Sequence, residues 1–324
     1  MSDQSQAPDD ASLGFSPEWD QPIRYIARTH AWYQALGFGT PYRYAQFDQV
    51  PFTRLDKPLA RSRVALLTTA APFQPGKGEQ TPNAPYNAQA KFYAVYSGDS
   101  AGHPDLRISH VAVDRLHARD DSACWLPLPA LKRAVAAGRI GELAPRFHGV
   151  PTNRSQRHTL AVDAPELLAR CRADAVDAAI LVPNCPVCHQ SMSLVARHLE
   201  AHGIACVLMG AAKDIVEQVG VPRFVFSDFP LGNAAARPHD LASQDSTLAL
   251  ALNLLDHASA PRSTVQNPLR WPGPADWRLD YMNAARLTPD ELARRRAENE
   301  RSKAEAQAQR DATLASGTAA SVKE

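Results

Sequence analysis

Buried apolar runs alternate with helix-forming segments through the second half of the chain, and this alternation most constrains the fold. Residues 175–183, 204–209 and 224–226 are almost continuously apolar, as expected of strands buried on both faces. The segments between them, 191–202 and 212–219, have the length of short helices. Strands alternating with helices of about ten residues predict a parallel sheet with right-handed crossovers.

The first half continues the pattern less regularly. Residues 63–70 and 105–111 are predicted strands, and residues 128–137 are a predicted helix with a proline near its start. The predicted fold class is α/β, a doubly wound parallel-sheet sandwich with Rossmann-like halves and extensions at both ends. The predicted segments are a disordered N-terminus (1–16), a helical and aromatic arm (17–60), an α/β catalytic domain (61–258, with halves of about 61–160 and 161–258), and a Pro-rich extension with a polar C-terminal helix (259–324).

Charge, hydropathy and cysteine content indicate the compartment and the class of partner. A formal net charge of +1 argues against a nucleic-acid-binding protein, and no apolar run approaches the ~20 residues that span a bilayer. The polar, acidic N-terminus has no signal-peptide pattern, and five cysteines, an odd number, do not form a disulfide framework. We therefore predict a cytoplasmic protein in a reducing compartment, without nucleic-acid or membrane partners.

The motif Cys185-Pro186-Val187-Cys188-His189 stands between a predicted strand and a predicted helix. Ligands of parallel α/β sheets bind beyond the carboxyl ends of the strands, which is where this order places both cysteines. The partial positive charge of a helix N-terminus favours thiolates, and cysteines three residues apart can close into a disulfide. The pair is the predicted chemical centre of an enzyme.

Three chemistries fit this motif. The first is thiol redox or nucleophilic catalysis, with His189 as a proton-transfer group. The second is zinc or iron binding in a non-redox lyase or hydrolase, with Cys185, Cys188 and His110 as ligands and further ligands from elsewhere. The third is covalent haem, which is attached to exported proteins and therefore disagrees with the absence of an export signal. A non-catalytic subunit of a larger complex is a further alternative.

A second cluster of polar residues follows the predicted strand 105–111. His110, Asp114 and His117 are spaced four and three apart, so in a helix they would share a face suited to a metal or an acid/base relay. A solvated charged loop explains the same residues equally well. The isolated Cys124 and Cys206, like Cys171, are predicted to be packing residues.

The order of these motifs resembles a known family. Val64-Ala65-Leu66-Leu67-Thr68-Thr69-Ala70, Ile108-Ser109-His110 with Asp114, Pro183-Asn184-Cys185-Pro186-Val187-Cys188-His189-Gln190 and residues 222–233 are similar to segments of the selenoprotein subunits of D-proline reductase and of glycine, sarcosine and betaine reductase component B. The resemblance extends in order from about residue 50 to residue 257.

The resemblance implies a function. Reductases of this family carry a selenocysteine in the motif and cleave a C–N bond reductively; both positions are cysteine here, so Cys185 and Cys188 become the redox pair. His110 and Asp114 are then active-site neighbours, Arg223 a clamp for a carboxylate, and Asn184, Ser109 and Thr69 further substrate contacts. The predicted protein is a thiol-dependent, homo-oligomeric oxidoreductase for a small amino-acid-like substrate, served by a thiol electron donor or a partner subunit.

Overall fold

The predicted alternation of buried strands and helices is present in the protein. The computed structural model describes residues 21–38, 42–72, 93–108, 113–114, 116–152, 155–280 and 282–316. The strands are β1 (Arg63–Thr68), β2 (Ala71–Pro72), β3 (Tyr96–Asp99), β4 (Leu106–Arg107), β5 (Glu142–Leu143), β6 (Arg146–Gly149), β7 (Ala178–Val182), β8 (Ala205–Gly210), β9 (Arg223–Phe226) and β10 (Ser263–Gln266). The α-helices are α1 (Tyr25–Ala35), α2 (Leu128–Ala136), α3 (Gln156–His158), α4 (Ala164–Ala173), α5 (Pro186–Glu200), α6 (Lys213–Val219), α7 (Leu241–His257), α8 (Trp277–Asp280) and α9 (Pro289–Ser316).

The main sheet is open and mostly parallel. Its order is β10-β9-β8-β7-β1-β6-β3, with β3 antiparallel at one edge. The short strand β5 pairs with the start of β1, and β6 pairs with its end. The predicted α/β class is therefore confirmed.

Helices cover both faces of this sheet. Leu66 of β1 and Ile180 of β7 pack in one buried cluster with α2 and α7. Their neighbours Leu67 and Leu181 point the other way and pack with α4, α5 and α6. Because successive side chains of a strand face opposite sides, strands covered on both faces must be apolar throughout, as β1 and β7 are. The sheet is doubly wound, as predicted.

The direction of winding changes between β1 and β7. After β1 the chain crosses through α2 on one face to reach β5 and β6, whereas after β7 it crosses through α5 on the opposite face to reach β8. The carboxyl ends of these two neighbouring strands therefore diverge into loops that leave in opposite directions. Such a topological switch point is where open α/β sheets bind ligands.

Some local predictions differ from the structure. The described part of residues 105–111 forms only β4, which pairs with β2 in a separate antiparallel sheet and adds nothing to the main one. Strand β10 lies in the Pro-rich segment where no strand was predicted, and it extends the main sheet beyond residue 258. The predicted N-terminal disorder at residues 1–16 lies outside the described residues. Among the described helices, none is both long and apolar enough to cross a membrane.

Candidate functional site

The cysteine loop lies at the switch point, bonded to the end of β1. The backbone N–H of Thr69 donates to the carbonyl oxygen of Val182 at 3.3 Å. The N–H of Asn184 donates to the hydroxyl oxygen of Thr69 at 2.9 Å. Both bonds are buried, so the turn after β7 is held against the turn after β1. Thr69 and Asn184, two of the predicted substrate contacts, are thus neighbours here.

Cys185 and Cys188 sit at the start of α5, which begins at Pro186 rather than at the predicted residue 191. Cys185 is the N-cap of α5, and its Sγ accepts the N–H of Cys188 at 3.3 Å. Pro186 is in the first turn, where a backbone N–H would have no acceptor within the helix, so the missing N–H of proline costs nothing there. The two Sγ atoms are 2.7 Å apart, and both residues are thiols rather than halves of a disulfide. A disulfide requires about 2.05 Å, so closing the bond takes a movement of under about 1 Å.

Burial distinguishes the two cysteine residues. Cys185 is 8% exposed, whereas Cys188 is fully buried. The hydroxyl of Thr152 lies 3.0 Å from the Sγ atom of Cys188. Thr152 follows β6 at the same edge of the sheet, a position that sequence analysis missed because β6 itself was not predicted.

His189 lies beside the cysteines but is engaged on both ring nitrogens. Its Nδ1 lies 2.8 Å from the carbonyl oxygen of Cys185, and its Nε2 accepts the N–H groups of Ala211 and Ala212 at 2.9 and 3.1 Å. These partners define a neutral imidazole protonated on Nδ1. Burial lowers the pKa of His189 to about 4. A Cβ at Gly210 would meet the ring at 2.9 Å, so glycine there makes room for the imidazole.

Asn184 presents an unusual group to this site. Its side chain is fully buried, yet neither its carboxamide nitrogen nor its oxygen hydrogen-bonds to any described residue. Buried polar groups are normally paired, because leaving one without a partner costs about 1–3 kcal/mol. A carboxamide without a described hydrogen-bond partner, on the residue that precedes Cys185, is a group that a ligand could satisfy.

Asp114 belongs to a separate hydrogen-bonded group. Its carboxylate accepts from the side-chain amide of Asn233 at 2.9 Å and lies 3.0 Å from Nδ1 of His117. It also accepts the backbone N–H groups of Leu116 and His117. Asp114 and His117 are therefore in contact, but in a loop rather than on the helix face considered in the sequence analysis. His110 and Ser109 lie outside the described residues.

Arg223 lies at the opposite end of the sheet from the cysteine loop. It is the first residue of β9, and its Nη1 forms a fully buried ion pair with Glu200 at 2.7 Å. Its Nη2 donates to the carbonyl of Thr53, and its guanidinium stacks on Phe52 at 4.2 Å. The structure does not bring Arg223 to Cys185 and Cys188.

The remaining cysteines, which are not part of the Cys-x-x-Cys motif, are buried. Burial raises the pKa of the Cys124, Cys171 and Cys206 thiols, which disfavours thiolates there. In the part of the chain that the structure describes, no three histidine, cysteine or acidic side chains are grouped to hold a metal ion. His110, the third ligand of the metal hypothesis, is outside that part.

Fold and site together define a doubly wound α/β protein with a dithiol at its topological switch point. The chain is similar to the D-proline reductase subunit gamma of Acetoanaerobium sticklandii, at 26% identity over 68% of this chain and 89% of the relative. It is similar to the glycine reductase complex component B subunit gamma of Carboxydothermus hydrogenoformans, at 28% identity over 61% of this chain and 46% of the relative. It is also similar to the sarcosine reductase complex component B subunit beta of Peptoclostridium acidaminophilum, at 24% identity over 61% of this chain.

These relatives confirm the family resemblance predicted from the motifs. The chain spans most of the D-proline reductase subunit but only about half of the glycine and sarcosine reductase subunits, of which the matches cover 46%. No family model and no solved structure matches the chain.

Proposed function

We propose that this protein is a thiol-dependent oxidoreductase in which Cys185 and Cys188 carry the electrons. The observation that supports this most directly is the 2.7 Å separation of the two Sγ atoms at the switch point. A dithiol at a helix N-terminus can be oxidised to a disulfide and reset by exchange with another thiol. The relatives' names, all reductase subunits, agree with a redox role.

The dithiol supplies both electrons and both protons that the proposed reaction consumes. The two thiols lose two electrons and two protons as the S–S bond forms. A C–N bond of the substrate takes them up and becomes a C–H and an N–H bond. A dithiol donor then reduces the disulfide in the cytoplasm. Because Cys185 is the more exposed residue of the two, we propose that it reacts with the substrate first and that Cys188 resolves the adduct.

The proposed substrate is a small amino acid or imino acid. The carboxamide of Asn184, which has no hydrogen-bond partner among the described residues, can donate to a carboxylate oxygen and accept from an amino N–H, the two groups that such molecules offer together. Thr69, bonded to the backbone of Asn184, holds this turn in place. Arg223 takes no part in this proposal, because its guanidinium is committed to Glu200 and Thr53.

A partner subunit belongs to the proposal as well. The glycine and sarcosine reductase relatives are named as subunits of complexes, so we propose that this chain also works within an assembly.

The test has a redox part and a catalytic part. Mild oxidation with diamide should remove two hydrogen atoms from the wild-type chain by mass spectrometry, and Cys185→Ser and Cys188→Ser should abolish this loss while thermal unfolding is unchanged. With dithiothreitol as donor, turnover of D-proline, glycine or sarcosine should also require both cysteines. Full activity of either variant contradicts the proposal.

Metal analysis of the same preparation separates the alternative. A stoichiometric zinc or iron ion lost in the cysteine variants would favour the non-redox metalloenzyme. Activity in metal-free protein would support the dithiol mechanism.

A further inference from the structure

A polar cavity lies at the amino edge of the main sheet, the edge opposite to the cysteine loop. Its volume of about 400 Å³ is within the range of small-molecule sites. The walls come from residues 54–58 of the N-terminal arm, from Arg223 at the start of β9, and from residues 255–259, where α7 ends. Segments that are distant in sequence therefore build this cavity, and none of them belongs to the cysteine loop.

Polar contacts attach these walls to one another and to the sheet. Nη2 of Arg54 donates to the backbone carbonyl of Ser259 at 2.9 Å, which joins the arm to the end of α7. Nζ of Lys57 lies 2.7 Å from the carboxylate of Asp177, the residue that precedes β7. The same carboxylate accepts the backbone N–H of Arg63, the first residue of β1, at 2.7 Å. The arm is therefore fixed at the amino ends of β1 and β7.

Two guanidinium groups give part of the cavity wall a positive charge. Arg54 is exposed, whereas Arg223 is buried, and Nε of Arg223 has no hydrogen-bond partner among the described residues. Burial lowers the pKa of Arg223, the ion pair with Glu200 opposes this, and the charge of Arg54 lowers the pKa further. The two guanidinium groups are therefore close enough to repel each other. A carboxylate bound beside them would relieve the repulsion and accept their hydrogen bonds.

Another part of the wall is negative. Asp256 lies in the last turn of α7, and Asp56 lies in the arm. The last carbonyl groups of a helix have no partner within it and carry a partial negative charge. Nδ1 of His257 lies 3.0 Å from the carbonyl oxygen of Asn253 within the same helix. This part of the wall attracts an ammonium group and repels a multiply charged anion such as phosphate.

We propose that the cavity binds an α-amino acid with an apolar side chain. The two arginines receive the carboxylate, while Asp256 and the end of α7 receive the ammonium group. Apolar surface for the side chain comes from Leu55, Pro58 and Leu255. This site goes beyond the proposed redox function, because its residues lie at the other edge of the sheet. Its occupant is therefore a second ligand rather than the substrate of the dithiol.

Three matched compounds test the ligand class by isothermal titration of the full chain. L-Valine has all three groups, isovalerate lacks only the amino group, and isobutylamine lacks only the carboxylate. L-Valine should bind, and each analogue should bind at least about tenfold more weakly, because it loses one set of charge-assisted hydrogen bonds. Isovalerate that binds as tightly as L-valine would indicate a simple anion site and overturn the proposal. Absence of L-valine binding at millimolar concentrations would overturn it too.

Variants of the wall test whether the binding belongs to this cavity. Arg54→Gln and Asp256→Asn should each weaken L-valine binding by about tenfold, with folding checked by thermal unfolding. Arg139→Gln is the matched control, since Arg139 is also exposed and donates to Asn253 of α7 at 3.1 Å, but it does not line the cavity. This control should bind L-valine like wild type. Unweakened binding in Arg54→Gln and Asp256→Asn, or equal weakening in the control, contradicts the proposal.

Asn184→Leu distinguishes this site from the proposed substrate site. This variant should still bind one L-valine per chain, because Asn184 lies at the cysteine edge of the sheet. Loss of L-valine binding in Asn184→Leu, with binding retained in Arg54→Gln, would place L-valine at the dithiol and reject the cavity. L-Valine binding that depends on Arg54 in a protein without thiol-dependent turnover would support the cavity and reject only the redox function.

Discussion

The hydroxyl oxygen of Thr152 lies 3.0 Å from the Sγ atom of Cys188, although Thr152 is in the loop after β6, a strand that is not adjacent to β7. Thr152 follows β6, Thr69 follows β1, and Cys188 follows β7, which are three successive strands of the sheet. All three strands are parallel, so their carboxyl ends converge at one edge. The site is therefore assembled by the sheet rather than by the motif alone.

This contact predicts the effect of Thr152→Val. Valine keeps the shape of threonine but removes the hydroxyl, so Cys188 should lose about 1 kcal/mol of thiolate stabilisation. Oxidation of the dithiol by diamide, followed by stopped-flow thiol titration, should then slow by about fivefold. Thr29→Val is the control, since Thr29 is also fully buried but belongs to α1, and no described contact joins it to Cys188. Equal slowing in both variants would contradict a specific role for Thr152.

The neutral state of His189 predicts how stability depends on pH. The pKa of His189 is about 4 in the folded protein, below its ordinary value of 6.5, because burial disfavours the charged ring. Between these values the unfolded chain binds a proton that the folded chain does not. The contribution of His189 to stability is therefore complete above about pH 6.5 and is lost as the pH falls through about 4.

Replacing His189 should remove this part of the pH dependence. In urea unfolding between pH 4 and 6.5, the free energy of unfolding of wild type should fall by up to about 1.4 kcal/mol per pH unit more steeply than that of His189→Gln. His148, whose pKa burial also lowers to about 4, titrates in both proteins and cancels in the comparison. Parallel slopes would show that the imidazole is already protonated in the folded state.

The ion pair of Arg223 and Glu200 predicts a loss of stability rather than of substrate binding. Both side chains are fully buried, so Arg223→Met should leave a carboxylate without its partner and cost about 3–5 kcal/mol in unfolding free energy. The double variant Arg223→Met with Glu200→Gln should lose less than the sum of the two single changes. If Arg223 instead bound a substrate carboxylate, Arg223→Met would raise KM and would hardly change the free energy of unfolding.

The cysteine loop was predictable because its signals are local. A buried apolar strand, a Cys-x-x-Cys pair and a helix follow one another in the sequence, and parallel sheets place such a turn at the ligand edge. The start of α5 was predicted five residues too late, since a cysteine N-cap is a weaker start signal than serine or aspartate.

Partners that come from distant segments were not predictable in this way. Thr152 reaches Cys188 across 36 positions of sequence, and Gln190 bonds Tyr42 across 148. Arg223 has the planar donor fork that suits a carboxylate substrate, but the carboxylate it meets is Glu200, 23 positions away in the same chain. Residue type indicates what a side chain can bind, whereas only the packing of the elements decides which partner it has.

Asn184 offers the sharpest test of the substrate site, because its stability effect and its functional effect should have opposite signs. Its buried carboxamide has no described hydrogen-bond partner, so its desolvation destabilises the folded protein without a compensating hydrogen bond. Asn184→Leu, of similar shape and apolar, should raise the unfolding free energy by about 1 kcal/mol or leave it unchanged. The same change should abolish substrate turnover while leaving alkylation of Cys185 intact. Asn233→Leu is the contrasting variant, since Asn233 is equally buried but donates to Asp114 at 2.9 Å and should therefore destabilise. Loss of stability in both variants would mean that the carboxamide of Asn184 serves the fold, and the assignment to the substrate would fail.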